Sequence, residues 1–325
     1  MQAVTVVNPG GPEQLAITDV AVPEPAADEV RIKVVAAGVN RADILQRQGF
    51  YPPPKGISEI IGLEVSGYID AVGASVTGWD PSDPCVALLA GGGYAEYVTV
   101  PVGQVIAPPP GVDLVSAAGL IEVAATVVSN FEHVGLRPGE TLLIHGGTGG
   151  IGSFAIQYAA ALHCRVIATA GSDAKLKLCR DLGADFALDY HEDWPAALQQ
   201  VTNGAGADVI LDIMGAKYLE DNVKALSPGG RLVVIGLQGG RKGTLDLNRL
   251  LTKAATITAT SLRFRTPADK ARIVQQVARD VWPLFATGAI HLPPQTRFPF
   301  TAVADAHHHL ESGTNIGKIL LVLPT

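Results

Sequence analysis

The segment that most constrains this chain lies between Thr141 and Leu162. An apolar run, TLLIH, enters five glycines within the seven residues 146–152 and leaves with Ile151, Phe154, Ala155, Tyr158 and Leu162 at helical spacing. Residues 147–152 read Gly-Thr-Gly-Gly-Ile-Gly, a GxGxxG, and a second strand-like run, RVIATA, follows at βαβ distance. In that context each glycine has an expected task. Gly147 permits the tight turn, Gly149 lets backbone approach a pyrophosphate, and Gly152 lets the helix pack on the strand. Thr148, Gly150 and Ile151 complete a helix N-terminus whose unpaired N–H groups attract phosphate.

An acid that binds a ribose 2′-hydroxyl usually closes the second strand of such a unit. Here that position is Ala170, followed by Gly171, Ser172 and, one turn on, Lys175. Space, a hydroxyl and an ammonium suit a 2′-phosphate, so NADPH is the expected cofactor. Asp173 reads as helix capping or first-turn charge, and Tyr190, ending the third strand, as an added hydroxyl or ring.

The first 120 residues read as β-rich, with VRIKVVAAGV and YAEYVTV separated by Pro/Gly-rich turns. From Thr141, strands alternate with helices, predicting a parallel sheet covered on both faces. A helix is expected over Pro267–Phe285 and a closing strand in GKILLVLP. The organisation is therefore discontinuous: 1–120 plus 263–325 as one domain, with 121–262 inserted as the other.

A net charge of −7 argues against nucleic-acid and anionic-membrane partners. No apolar run is read as long enough to span a bilayer, and no secretory signal is read at the start. Three widely spaced cysteines fit reduced thiols in a cytoplasmic setting. No three-ligand metal set is expected: His307 to His309 point ~100° apart on a helix and read as a polar surface. GTNIGK fails as a phosphate loop, and no GxSxG occurs. Hydride chemistry supplied by a nicotinamide remains.

Several motifs carry a family resemblance over nearly the whole chain: GVNRADILQRQGFYPPP (38–54), IGLEVSGYIDAVG (61–73), GGGYAEYV (91–98), HGGTGGIG (145–152) and NIGKILLVLP (315–324). Together they resemble the zinc-independent quinone oxidoreductase, or zeta-crystallin-like, branch of the medium-chain dehydrogenase/reductase superfamily, most of all the stress-inducible NADPH:quinone oxidoreductase type. Zinc-dependent members place Cys and His where this chain has Asn40 and Leu63. The resemblance implies an α/β fold: a GroES-like irregular β-barrel catalytic domain plus a Rossmann doubly wound parallel sheet domain, with the cofactor in the cleft between them, assembled as a homodimer through the Rossmann sheets. It assigns Asn40 to the nicotinamide ribose and substrate, and Tyr51 to the quinone pocket. Thr126, Gly236, Leu237, Ser261, Leu262 and Asn315 are assigned to the nicotinamide half, and Gly171, Ser172, Lys175 and Tyr190 to the 2′-phosphate and adenosine. The implied activity is NADPH-dependent reduction of a small-molecule quinone or similar flat conjugated carbonyl. The alternatives are an enone or alkenal reductase, and an NADPH-binding protein with little turnover.

Overall fold

The structure is a computed structural model and describes residues 1–324. Its contacts divide the chain into two compact units. Unit 1 comprises Met1–Ala125, Leu262–Gly288 and the chain from Leu292 onward; unit 2 comprises Thr126–Ser261 and Ala289–His291.

The first pass through unit 1 gives β1 (Gln2–Val6), β2 (Leu15–Asp19), β3 (Glu29–Val39), α1 (Arg41–Arg47), β4 (Glu64–Val72), β5 (Pro84–Leu88), β6 (Tyr97–Pro101), β7 (Val105–Ile106) and α2 (Leu114–Ala117). After α3 (Ile121–His133), unit 2 alternates β8 (Thr141–Ile144), α4 (Gly150–Ala161), β9 (Arg165–Ala170), α5 (Asp173–Asp181), β10 (Phe186–Asp189), α6 (Trp194–Val201), β11 (Ala207–Asp212), α7 (Leu219–Ala225), β12 (Leu226–Val234), α8 (Leu247–Thr252) and β13 (Thr256–Ala259). The return supplies α9 (Pro267–Asp280), α10 (Trp282–Ala286), β14 (Gln295–Pro299), α11 (Val303–Glu311) and β15 (Lys318–Val322).

Unit 2 is built on one six-stranded parallel sheet in the order β10-β9-β8-β11-β12-β13, the doubly wound order in which the chain reverses direction between β8 and β11. Its central strands are apolar throughout, as helices on both faces require: Leu142, Leu143, Ile144, Val166, Ile167, Val209 and Ile210 are fully buried. Each such aliphatic side chain contributes on the order of 2 kcal/mol by leaving water. Helix α4 is buried from Gly152 to Ala159, not along a single stripe. Its one long polar side chain is satisfied inside unit 2, because Gln157 accepts from the backbone N–H of His291 and donates to its carbonyl.

In unit 1 a sheet ordered β14-β15-β3-β4-β5-β7, with β6 also paired to β3, surrounds a core containing Val30, Ile32, Val65, Ile69, Tyr94 and Leu321. All its pairs are antiparallel except β14 with β15. Register shifts between β3 and β4 mark local bulges.

Three sequence expectations change. The helix over 267–285 is broken at Val281, because Pro283 in the first turn of α10 has no N–H to continue the ladder. The histidine triplet is helical but is not a solvated face: His307 is fully buried while His308 is exposed. The stretch Leu114–His133 does have the length and mean hydropathy, 1.6, of a membrane span, yet 83% of its most apolar 18-residue window is buried inside the protein. Glu122 and Asn130 interrupt it, which hid it from a search for uninterrupted apolar runs.

Candidate functional site

The glycine corner follows β8 at the point where the strand order reverses, where open α/β sheets bind their ligands. The roles of its glycines differ in part from expectation. The left-handed residue that makes the turn is Gly146, with φ of 73°, not Gly147. Gly147 is needed for packing: a Cβ there would lie 2.6 Å from the Cys179 sulfur and 2.9 Å from the Ala168 Cβ. At Gly152 a Cβ would lie 2.2 Å from the carbonyl oxygen of Gly146, so helix and strand approach as the fingerprint requires. Gly149, the N-cap of α4, is different. A Cβ there would meet only the Gly146 carbonyl oxygen, at an ordinary contact distance of 3.7 Å, so the backbone on that face is uncrowded. Bare backbone beside the amides of a helix's first turn is a cradle for phosphate.

A buried chain of hydrogen bonds pins this corner. Thr169 on β9 accepts the Gly147 N–H with its carbonyl and the Gly146 N–H with its hydroxyl. The same hydroxyl lies 3.2 Å from His145 Nδ1, and His145 Nε2 lies 2.7 Å from Asn222 Oδ1. An amide oxygen only accepts, so Nε2 carries the proton and Nδ1 accepts from Thr169. Burial pushes His145 down to about 4, keeping the ring neutral. Sequence reasoning passed over both residues; the signal was a histidine and a threonine ending otherwise apolar strands.

At the end of β9 the expected space beside Gly171 is filled. A Cβ on Gly171 would lie 2.3 Å from the Tyr190 ring, so only glycine lets that phenol lie across the backbone. The ring is 40% exposed and tilts against His191. The cap of α5 is Ser172, whose hydroxyl accepts the Lys175 N–H at 3.4 Å; Asp173 stands in the first turn. Lys175 is half-buried one turn into α5. Corner, Gly171 and Tyr190 thus gather at the C-terminal ends of β8, β9 and β10. Gly236, Leu237 and Ser261 lie beyond the ends of β12 and β13, with Leu237 52% exposed and Ser261 exposed. A Cβ on Gly236 would lie 2.8 Å from the Ile213 carbonyl oxygen. Asp212, at the end of β11, accepts from the N–H groups of Met214 and Gly215, and burial raises it to about 6. Thr126 is buried on α3, its carbonyl accepting from Asn130, which in turn accepts from Thr260.

In unit 1, Asn40 caps the N-terminus of α1, its N–H donating to Asp43. Its carboxamide belongs to a buried cluster. Nδ2 donates to Glu64 Oε1 at 3.0 Å, and the Lys318 ammonium donates to Asn40 Oδ1 at 2.5 Å and to Glu64 Oε1 at 2.6 Å. The second Glu64 oxygen accepts the Glu122 N–H. Asp43 extends the cluster through Tyr94 to His307, which lies 3.2 Å from an Arg47 nitrogen; Arg47 also grips Glu311. Tyr51 belongs to a different group. The Arg263 guanidinium stands 5.2 Å over its ring and the Phe264 ring meets it edge-on at 5.3 Å. Arg263 is buried and fixes this loop by donating to the carbonyls of Tyr51 and Ala90 and to Gln46. Leu262 is half-buried, and Asn315 donates to the Gly317 carbonyl while its buried Oδ1 has no hydrogen-bond partner. Arg263 and Lys318 were missed as site residues, although a lysine opening the apolar run ILLVL was visible. Among the described residues no group of three or more His, Cys, Asp or Glu is placed to hold a metal ion.

A doubly wound parallel unit with a glycine corner at its switch point, joined to a mainly antiparallel unit, defines the two-domain medium-chain dehydrogenase/reductase fold. Residues 26–110 match the alcohol dehydrogenase GroES-like domain and residues 150–279 match the domain described as zinc-binding dehydrogenase. The quinone oxidoreductase of Pseudomonas aeruginosa is 32% identical over 317 residues, covering 96% of this chain and 97% of that protein. The chain belongs to the quinone oxidoreductase family of this superfamily. It is also 31% identical over 320 residues to a phenolphthiocerol/phthiocerol polyketide synthase chain of Mycobacterium tuberculosis; this covers 98% of the present chain, which spans only 14% of that protein's length. Among solved structures, the Escherichia coli quinone oxidoreductase complexed with NADPH superposes with a TM-score of 0.90 at 26% identity, over 99% of this chain and 100% of that one. The CurK enoyl reductase gives 0.87 at 25% identity, over 99% of each chain.

Proposed function

We infer that this chain is an NADPH-dependent oxidoreductase that reduces quinones or similar flat, conjugated carbonyl acceptors without zinc. The observation that carries the reading is the open backbone at Gly149 at the switch point of the unit 2 sheet, followed on β9 by Ala170 where an acid would select NAD, and by Ser172 and Lys175 beyond it. The Escherichia coli relative crystallised with NADPH supports it. Unit 2 is the cofactor-binding domain and unit 1 the catalytic domain.

When bound, NADPH supplies the hydride. The amides of residues 150–152 hold its phosphates beside the Gly149 backbone, with Gly147 and Thr148 shaping the loop. Ser172 and Lys175 bind the 2′-phosphate and Tyr190 lies beside the adenosine. Thr126, Gly236, Leu237, Ser261, Leu262 and Asn315 are assigned to the nicotinamide half. Asn40 donates an N–H to the acceptor oxygen, where negative charge develops. Tyr51 shapes the acceptor pocket and is the candidate proton donor. The donor set favours chemistry without zinc, since an amide at Asn40 and an alkyl chain at Leu63 replace a thiolate and an imidazole. Cytoplasmic location and a homodimer complete the reading. The edge strand β13 and the exposed Leu247 and Leu251 of α8 support the dimer.

The test is consumption of NADPH, followed at the reduced-nicotinamide absorbance band, with 1,4-benzoquinone or 9,10-phenanthrenequinone. Loss with enones alone selects the enoyl-type reduction that the CurK likeness favours; binding without turnover selects the third alternative. Lys175→Ala is expected to weaken NADPH by roughly tenfold or more and NADH far less. Equal loss for both cofactors overturns the 2′-phosphate assignment.

A further inference from the structure

The Asn40 carboxamide is held at both ends by groups that permit only one orientation. An ammonium only donates and a carboxylate only accepts. Lys318 therefore requires the amide oxygen, and Glu64 requires the amide nitrogen. Flipping the amide would set N–H against ammonium and oxygen against carboxylate, two repulsive pairs in place of two charge-assisted bonds. The pair itself is deeply buried, with side-chain exposures of 3% for Lys318 and 0% for Glu64. Two glycines make room for it. A Cβ on Gly38 of β3 would lie 2.2 Å from Glu64 Oε1, and one on Gly119, between α2 and α3, would lie 2.5 Å from Lys318 Cγ. Neither glycine has a positive φ, so each is required for space, not for conformation.

We propose that Lys318, with Glu64, is a positioning residue that fixes the Asn40 amide so that its second N–H is the atom presented to the acceptor oxygen. The proposal rests on the role given to Asn40 above. A buried ion pair is weak evidence for stability, because an apolar or neutral pair of similar size is often as stable. Orientation of a donor that must be set before charge develops is a use that the same pair serves well.

The test separates orientation from stability. Lys318→Met leaves Glu64 buried without its counter-charge, so the melting temperature falls. The double variant Lys318→Met/Glu64→Gln removes both charges and recovers most of that temperature. In both variants kcat with quinone is expected to drop about tenfold or more while KM for NADPH stays within about twofold. In an Asn40→Ala background the double variant is expected to lower kcat no further. Recovery of kcat along with the melting temperature, or an undiminished further loss in the Asn40→Ala background, overturns the proposal. A readout independent of turnover is the side-chain NH₂ signal of Asn40 in a ¹⁵N–¹H spectrum, assigned by its absence in Asn40→Ala. It should exchange slowly with solvent in the parent protein and fast in the double variant; unchanged exchange also overturns the proposal. A parent protein that consumes no NADPH with any acceptor would overturn the functional reading instead, while the amide signal still decides the orientation.

Discussion

Asp43 and His307 both contact the Tyr94 hydroxyl, at 3.0 and 3.4 Å, and burial moves their titrations in opposite senses. It raises Asp43 to about 6, although Lys318 and Arg263 pull the other way, and it lowers His307 to about 3, with Arg47 and His308 adding to the shift. Folded Asp43 takes up its proton near pH 6 and the unfolded side chain only near 3.8, so its contribution to stability grows as pH falls through that interval. Unfolded His307 is protonated near 6.5 while the folded ring stays neutral to about 3, so its contribution shrinks over the same range. Asp43→Asn should therefore steepen the loss of unfolding free energy between about pH 6 and pH 4, and His307→Gln should make it shallower, each by up to about 1.4 kcal/mol per pH unit. Urea titrations at several pH values measure both slopes; parallel profiles for parent and variants would rule the assignment out. At this scale the sequence was half legible. Gly149 was singled out by motif spacing, and Asn40 by the family resemblance alone. Lys318, Arg263 and His307 were not, since each is a charged or polar side chain whose burial depends on partners more than 170 residues away in the chain. His307 was misread for the further reason that three adjacent polar residues look solvated, although successive helix positions turn ~100° and one of the three can face the core.

The strand–turn–helix of β8 and α4 was the most legible element, because period, glycine spacing and the following strand agree. What the spacing could not distinguish is which glycine turns the chain, which one packs and which one faces outward; that needed φ angles and Cβ positions. The distinction yields a paired expectation. Gly152→Ala forces a methyl group against the Gly146 carbonyl and should destabilise the protein by about 2 kcal/mol, seen as a lower melting temperature. Gly149→Ala makes only an ordinary contact with the Gly146 carbonyl and should melt near the parent, yet weaken NADPH on the order of tenfold in a fluorescence titration. Unimpaired NADPH binding by Gly149→Ala would remove the phosphate role from that face. The break between α9 and α10 was present in the sequence as Trp282-Pro283, but a proline in the first turn of a helix reads the same as one that ends the helix before it.

For the whole molecule, the alternation of βα units made the parallel sheet predictable, and the β-rich opening made the other architecture readable as a class. Its strand order was not, because pairing such as β15 between β14 and β3 joins segments almost 300 residues apart. That pairing governs the order of events during synthesis. The strands of unit 2 all lie between Thr141 and Ala259, so its sheet has every strand in hand before β14 and β15 are made. The other sheet must wait, keeping β3 without one of its partners until β15 emerges. A chain stalled after Ser312 should accordingly yield, on limited proteolysis with mass spectrometry, a protected fragment containing residues 126–261 and rapid cleavage within 1–110. Equal protection of both regions would show that the first-made strands do not depend on the last.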